Sequence, residues 1–322
     1  MGPAEDVLPA FLEGRLEASY AGDDLARIRA GYATATARPV TLRANTLKAG
    51  AGEVEEALGA AGIASERAAW YGDAFILPGV HERAVWDLPI YQEGGVYLQS
   101  LSSMLPALAL APRPGADILD MCAAPGGKTS QIAALTRGGA HITACEMNGP
   151  RAEKLEHNLT KLGCGNVNVM RTDARRLDTF FSFDQILVDA PCTGSGTVRA
   201  GDARAAERLT GKLLAKTTRS QASLLDRALT VLKRGGNLVY STCSILPEEN
   251  EEQVARALAR HRDCELAPLS PADLRGPGAA ADASAVAGAP PFHALPNGLA
   301  GTITICPDGL FEGFFIARIK KS

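Results

Sequence analysis

The chain has 322 residues and a net charge of −3, so its overall charge gives no attraction to nucleic acid. No segment approaches the ~18 consecutive apolar residues of a membrane span, and the acidic residues within 1–20 do not fit a secretory signal or a basic transit peptide. The seven cysteines are odd in number and include no C-x-x-C pair. We therefore expect free thiols in a reducing cytoplasm, with neither a disulfide framework nor a metal site.

Charge is distributed unevenly along the sequence. Residues 1–95 contain 8 Lys and Arg against 14 Asp and Glu, a balance of −6, whereas residues 96–322 have a balance of +3. A polyanionic partner should therefore contact the second part. Because domains usually have ~100–200 residues, we expect a small N-terminal domain over 1–95 and a larger domain over 96–322.

The first part has the pattern of a small α+β domain. Its predicted elements are helical residues 1–35, a strand at 40–47, a helix at 53–61 and a strand at 74–77. The helical prediction depends on apolar residues that recur at helical spacing, such as Leu8, Leu12 and Leu16. None of these residues points to chemistry by itself.

Strands and helices alternate through the second part. The predicted order is helix 103–110, strand 117–122, helix 127–136, strand 140–145, helix 150–162, strand 167–171, strand 184–189, helix 204–233 (broken or continuous), strand 236–241, helix 247–260 and a last strand at 314–319. Such alternation implies an α/β fold with a doubly wound, mostly parallel sheet. Ligands of these sheets bind at the carboxyl ends of the strands. The Gly-, Ala- and Pro-rich segment 276–291 is predicted to be a flexible surface loop.

A glycine turn at 120–129 follows the first strand of this series. The order of strand, turn and helix leaves backbone N–H groups free at a helix N-terminus. Gly127-Lys128-Thr129 is similar to the end of a phosphate-binding loop, but Cys122 stands where that motif has its first glycine. The segment alone therefore fits a structural turn as well as a ligand loop.

Two acidic residues follow the next two strands. Glu146 lies where a carboxylate accepts hydrogen bonds from the two hydroxyls of a ribose, although a solvated loop glutamate has the same pattern. Asp173 is able to accept from an exocyclic amine or to cap a helix.

Two thiols and a carboxylate follow neighbouring strands. Asp189, Cys192 and Cys243 come directly after apolar runs and should meet at one sheet edge. We interpret the other five cysteines as buried bystanders, namely Cys122, Cys145, Cys164, Cys264 and Cys306.

These segments together resemble the Nop/Sun family of RNA cytosine-5 methyltransferases, which use S-adenosylmethionine. The matching pieces are D-M-C-A-A-P-G-G-K-T at 120–129, Glu146, Asp173, D-A-P-C-T-G-S-G at 189–196 and S-T-C-S at 241–244, with weaker matches at 42–48, 99–110 and 312–318. The resemblance is closest to bacterial members that modify 16S ribosomal RNA. It implies a class I methyltransferase fold over 96–322. It also implies an N-terminal domain over 1–95 that either binds RNA or packs against the methyltransferase domain.

The resemblance also implies roles for individual residues. Cys243 would add to cytosine C6, Cys192 would help to release the product, and Asp189 with Lys128 would hold the base. The residues implied for S-adenosylmethionine are Cys122, Ala123, Ala124, Pro125, Gly126, Gly127, Lys128, Glu146, Arg151, Asp173 and Asp189. The expected partner is ribosomal or transfer RNA, and we expect a cytoplasmic monomer.

Basic residues give a separate indication of RNA binding. Arg204, Arg208, Lys212 and Lys216 recur at intervals of four, and Arg199 precedes them. On one continuous helix the four would share a face, which fits either phosphate binding or ordinary solvation.

Two other functional classes fit the sequence less well. A DNA cytosine-5 methyltransferase would use Cys192 as its nucleophile, but the Glu-Asn-Val motif and the large recognition insert of those enzymes are not visible. An RNA-binding assembly factor without turnover would have no need of both thiols and Asp189. A transfer RNA methyltransferase of the same family stays open as the alternative substrate class.

Overall fold

The structure is a computed structural model that describes residues 8–279 and 290–322. The strands are β1 Val40–Ala44, β2 Glu66–Ala68, β3 Tyr71–Leu77, β4 Val96–Leu98, β5 Asp117–Asp120, β6 His141–Cys145, β7 Val167–Met170, β8 Phe183–Asp189, β9 Leu232–Thr242, β10 Cys264–Leu266, β11 Ala294–Leu295, β12 Ile303–Ile305 and β13 Phe314–Lys321. The α-helices are α1 Ala10–Ser19, α2 Gly22–Thr34, α3 Ala51–Ala60, α4 Glu82–Trp86, α5 Pro89–Gln92, α6 Leu101–Leu110, α7 Gly127–Leu135, α8 Gly149–Lys161, α9 Ala203–Arg208, α10 Gly211–Val231 and α11 Glu251–Arg260.

The larger sheet has the strand order β11-β12-β13-β9-β8-β5-β6-β7, and β10 pairs with residues 319–321 at the end of β13. Its centre is parallel, because β5 pairs with β6 and β8, β6 with β7, and β8 with β9 in that sense. The last strand, β13, runs antiparallel to β9. The predicted α/β fold with a doubly wound, mostly parallel sheet is confirmed.

Successive residues of the central strands pack into two separate layers of the hydrophobic core. Ile118, Leu187 and Val239 pack into the layer that α6 and α7 cover. Their neighbours Leu119 and Ile186 pack into the layer on the opposite face, against α10 and α11. Because side chains alternate across a strand, a strand covered on both faces must be apolar at every position, which explains the continuous apolar runs in the sequence.

The smaller sheet has the order β2-β3-β1-β4 and is antiparallel throughout. The strand β4 pairs with β1 of this sheet and lies just beyond residue 95, where we expected the domain boundary. The helices α1 and α2 also differ from the prediction. Their residues Leu12 and Ile28 pack with Val198 and Ile245 of the larger part and not with the small sheet.

The helix predicted over 204–233, with a break left open, is two helices, because Asp202 caps α9 and Thr210 caps α10, with extended backbone at Leu209 between them. Within the predicted helix over 1–35, residues 1–7 lie outside the described residues, as do residues 280–289 of the predicted loop 276–291. The start of that loop is anchored, because Gly276 donates to the carbonyl of Trp70.

Candidate functional site

Four strands deliver the chemistry-bearing residues to one edge of the large sheet. Cys122, Glu146, Asp189 and Cys243 each follow or end a parallel strand, and the β8–β9 register places Asp189 opposite Ser241. Two cavities open at this edge, one of about 720 Å³ and one of about 340 Å³. Both are lined by Cys122, Ala124, Asp189 and Cys243, so these residues form their common wall.

The larger cavity holds the acidic residues that the sequence assigned to a nucleoside. Glu146 is buried, and its Oε2 lies 3.2 Å from Nη1 of Arg151. Arg151 also donates from Nη2 to the carbonyl of Ala124 at 2.9 Å, so one guanidinium joins β6 to the glycine turn. The carboxylate of Asp173 accepts two side-chain hydrogen bonds from Arg175 at 2.8 Å, which hold the pKa of Asp173 below its ordinary range.

The glycine turn borders both cavities. Gly126 has φ +109°, a left-handed conformation that favours glycine, and α7 begins directly after it. A Cβ on Gly127 would lie 2.9 Å from the ring of Tyr97, so the chain needs glycine there as well. Of the turn residues assigned to the cofactor, Cys122 and Ala124 line both cavities, Ala123, Pro125, Gly127 and Lys128 line only the smaller one, and Gly126 lines neither.

Lys128 and Asp189 form an ion pair at the edge of the smaller cavity. Lys128 Nζ lies 2.8 Å from Asp189 Oδ2 and donates to Ser103 Oγ at 2.8 Å. Ser241 donates to the other carboxylate oxygen, Oδ1, at 2.8 Å. Burial acts to lower the pKa of Lys128, but the adjacent Asp189 carboxylate outweighs it and the net pKa is raised. The lysine is therefore a fixed cation that orients the carboxylate.

A second carboxyl group, that of Asp120, interacts electrostatically with this pair. Asp120 is buried and accepts from Thr129 Oγ1 at 2.7 Å and from the backbone N–H of Cys122 at 3.3 Å. Burial, with a smaller contribution from the negative charge of Asp189, raises the pKa of Asp120 to about 6. The group therefore titrates close to neutral pH.

The two thiols meet across neighbouring loops. The Sγ atoms of Cys192 and Cys243 are 2.9 Å apart. The hydrogen bond to Cys243, followed by burial, raises the pKa of the Cys192 thiol well above its ordinary range. Cys192 therefore keeps its proton, and its S–H is available to donate to the Cys243 sulfur.

The break between α9 and α10 divides the four recurring basic residues between two helices, so they do not share one continuous helical face. All five basic residues are exposed, namely Arg199, Arg204, Arg208, Lys212 and Lys216. Arg208 borders the thiol loop, because a Cβ built on Gly194 would lie 3.7 Å from its guanidinium. Lys216 lines the larger cavity together with Arg219.

Sequence reasoning missed several residues of the site. Ser103 and Ser241 hold the Lys128–Asp189 pair, and the ring of Phe314 lies 5.6 Å below Lys128 Nζ. Ser241 and Phe314 are inside segments that the family resemblance had marked, so a closer inspection of those segments could have identified them. Arg175 lies outside the segments that the resemblance marks. Its contact with Asp173 depends on the short 3₁₀ turn that follows β7, which the sequence pattern does not predict.

Two negative findings apply to the described ranges, 8–279 and 290–322. Histidine, cysteine and acidic side chains form no cluster there that could hold a metal ion. None of the helices in these ranges combines the length and the apolar character needed to cross a bilayer.

The doubly wound sheet, its antiparallel last strand and the cavity beyond β5 and β6 define the class I methyltransferase fold. A solved methyltransferase homologue from Pyrococcus horikoshii has the same fold, with a TM-score of 0.76, 31% identity and coverage of 98% of this chain and 100% of that one.

The family model of the 16S rRNA methyltransferase RsmB/F family matches residues 107–320 of this chain. The chain therefore belongs to this family, and the predicted family is confirmed. It is 38% identical over 237 residues to the 26S rRNA (cytosine-C(5))-methyltransferase nsun-1 of Caenorhabditis elegans, an alignment that covers 72% of this chain and 35% of that protein. It is 42% identical over 182 residues to the ribosomal RNA small subunit methyltransferase B of Sodalis glossinidius, covering 56% of this chain and 41% of that protein. The chain thus spans well under half the length of these two relatives.

Proposed function

We propose that the protein transfers a methyl group from S-adenosylmethionine to C5 of a cytosine in structured RNA, through a covalent bond between Cys243 and C6. The main support is the common wall of the two cavities. Cys243 and Asp189 border both, so a base in the smaller cavity and a cofactor in the larger one would meet at these side chains.

The larger cavity fits S-adenosylmethionine in volume and chemistry. Its volume of about 720 Å³ lies within the ~300–1,000 Å³ typical of cofactor sites. Glu146 would accept from the ribose hydroxyls and Asp173 from the adenine amine, while the turn at Cys122 and Ala124 would hold the methionine end. When bound, the cofactor supplies an electrophilic methyl group on a sulfonium.

The smaller cavity fits a single pyrimidine that has left its stack. Its volume is about 340 Å³, and its walls combine the Phe314 ring with the Lys128–Asp189 pair. Asp189 would hydrogen-bond the polar edge of the base, and the fixed cation of Lys128 would offset charge that develops on the ring. An enzyme that modifies a base in paired RNA must first extrude that base.

Cys243 overcomes the weak nucleophilicity of cytosine C5. Its thiolate donates an electron pair to C6, and the displaced C5–C6 π electrons make C5 the nucleophile that takes the methyl group. Loss of the C5 proton to a base then restores the double bond, and the C6–S bond breaks to return the thiolate. Cys192, whose sulfur lies 2.9 Å from that of Cys243, is suited to assist this release.

For the substrate we propose ribosomal RNA, with 16S rRNA the first candidate, because the matching family description names it. Transfer RNA is the alternative within the same chemistry. Bisulfite sequencing of RNA from a deletion strain distinguishes the two. Loss of one 5-methylcytosine in 16S rRNA is the expected result, whereas loss confined to transfer RNA would assign the alternative.

The mechanism is tested by trapping the covalent adduct. With S-adenosylmethionine and RNA that contains 5-fluorocytosine, the unaltered protein should form a stable protein–RNA adduct and Cys243→Ala should form none. With ordinary RNA, Cys192→Ala should accumulate an adduct. The reverse assignment of the two thiols would favour the DNA-type mechanism, and absence of adduct in every combination would favour an RNA-binding protein without turnover.

A further inference from the structure

Two buried polar residues behind the thiols have no part in the chemistry described so far. Glu249 and Asn250 lie between β9 and α11, and both have 0% of their surface exposed. Buried polar side chains are costly unless their hydrogen bonds are satisfied. Their partners therefore indicate what the two residues hold in place.

Glu249 holds the loop of Cys192 from both sides. Its carboxylate accepts from the backbone N–H of Thr193 at 2.9 Å and from the Thr193 hydroxyl at 2.6 Å. It also accepts from Gln221 Nε2 at 3.1 Å, and the same amide donates to the carbonyl of Pro191 at 3.0 Å. Thr217 completes the set with a hydroxyl hydrogen bond of 2.6 Å. Both neighbours of Cys192 are thus fixed through one carboxylate.

Asn250 holds the loop of Cys243 in the same manner. Its Oδ1 accepts from the Thr242 hydroxyl at 2.5 Å, and its Nδ2 donates to the carbonyl of Ser244 at 2.9 Å. Thr242 and Ser244 are the two neighbours of Cys243. The side-chain amide therefore fixes both ends of the tripeptide that carries this thiol.

We infer that Glu249 and Asn250 are positioning residues that set the two sulfurs against each other, Glu249 through the Cys192 loop and Asn250 through the Cys243 loop. Because the two residues are adjacent in the chain, their side chains fix the two loops relative to one another. The inference rests on the proposed roles of the thiols. It assigns product release to the Glu249 side and adduct formation to the Asn250 side.

The test uses two isosteric variants on each side. Glu249→Gln and Thr193→Val each remove part of the Cys192 support, and Asn250→Asp and Thr242→Val each remove part of the Cys243 support. Thr136→Val is the matched control, because Thr136 is a buried threonine at the end of α7 whose hydroxyl bonds only to backbone carbonyls of that helix. Each variant is assayed for adduct on 5-fluorocytosine RNA, adduct on ordinary RNA and melting temperature.

The two sides should give different kinetic results. Misplacement of a reacting group by ~1 Å can cost ~10²-fold. We expect the Asn250-side variants to slow adduct formation on 5-fluorocytosine RNA by about tenfold or more. The Glu249-side variants should form adduct within about twofold of the normal rate but accumulate about fivefold more of it on ordinary RNA. As a readout without cofactor, alkylation by iodoacetamide should change in rate at Cys192 on the Glu249 side and at Cys243 on the Asn250 side.

The inference fails if all four variants slow both steps in the same proportion, or if their activity follows melting temperature as it does in Thr136→Val. Either result would mean that Glu249 and Asn250 only stabilise the fold. A failure of the proposed function looks different, because the unaltered protein would then form no adduct on 5-fluorocytosine RNA.

Discussion

At the scale of single residues, we expect the role of Lys128 to be separable from cofactor binding. Lys128 lines the smaller cavity and not the larger one. In Lys128→Met the carboxylate loses its cation, and loss of one preorganised electrostatic group typically costs ~10²–10³ in kcat. We expect a fall of that size with a change of less than about threefold in the dissociation constant of S-adenosylmethionine. Single-turnover kinetics and calorimetry measure the two quantities.

A suitable control is Lys154→Met, which alters an exposed lysine on α8. Its kcat should stay within about twofold of normal, because surface substitutions away from a site have small effects. A large loss of cofactor affinity in Lys128→Met would place this side chain in the cofactor site and contradict its assignment to the base.

The buried carboxyl of Asp120 should make stability depend on pH. Its pKa is about 6 in the folded chain against an ordinary value of 3.8, so the folded state holds the proton more tightly. Below pH ~4 the group causes no pH dependence, because both states keep the proton. Between pH ~4 and ~6 only the unfolded chain releases it, so the fold is progressively destabilised, and the loss is complete once pH has risen through ~6. Asp120→Asn removes this effect, so the variant should gain up to about 3 kcal/mol relative to the unaltered chain between pH 4 and pH 8.

Urea unfolding of both proteins across this pH range measures the difference. A constant difference between them would show that Asp120 has an ordinary pKa. The neighbouring charges that affect the result are those of Asp189, which raises the pKa, and Lys128, which lowers it. Asp120→Asn should therefore be measured without other substitutions.

The individual residues of the site were predictable to different degrees. Asp189, Cys192 and Cys243 follow apolar strands, and parallel strands must bring them to one edge, so their meeting follows from the pattern. The Glu249 network leaves no such trace, because Thr193, Thr217 and Gln221 are 28 to 56 residues away along the chain. Only the tertiary fold brings these donors together.

At the scale of elements, the strands at the centre of the large sheet were predicted well and the shortest strands were not. The strands β5 to β8 lie within about two residues of their predicted positions. The strands β10, β11 and β12 have two or three residues each, too few for alternation to be recognised. The pattern over 204–233 fits a broken helix as well as a continuous one, and the structure shows a break at Leu209.

The basic residues on the two helices beside that break lead to a specific prediction for RNA binding. Arg208 lies beside the thiol loop, and Lys212 is on the first turn of α10. Each phosphate contact contributes about 0.7 to 0.9 to the slope of log K against log salt. The double variant Arg208→Glu/Lys212→Glu should therefore bind RNA more weakly and reduce that slope by about 1.4 or more.

Filter binding at several salt concentrations measures the slope. The control is Arg234→Glu/Arg262→Glu, which changes the same charge on two exposed residues at the opposite edge of the sheet, where Asn237 pairs with Lys320. An equal loss of slope in both double variants would mean that RNA responds to net charge and not to this surface.

At the scale of the whole molecule, a buried arginine joins the small sheet to the larger part. Arg43 on β1 has no exposed surface and donates to Gln99 Oε1 at 3.1 Å and to Ser130 Oγ on α7 at 3.0 Å. Asn45 adds a hydrogen bond of 2.8 Å to the carbonyl of Leu162, at the end of α8. The two units therefore share buried polar contacts, and their separate unfolding would leave these groups without partners.

We accordingly expect both units to unfold in one transition. Trp86 and Trp70 both belong to the small unit by sequence, and Trp70 also packs against Phe311 of the larger part. Fluorescence therefore reports the small unit and its contact with the larger part, while far-UV circular dichroism reports the whole chain. The two curves should coincide. Arg43→Met leaves buried acceptors unsatisfied and should cost about 3 kcal/mol, whereas Arg67→Met, in the exposed β2 of the same sheet, should cost less than about 1 kcal/mol. Separate transitions, or equal costs for the two variants, would mean that the small sheet is an independent domain, and Arg43 would then be only a local contact.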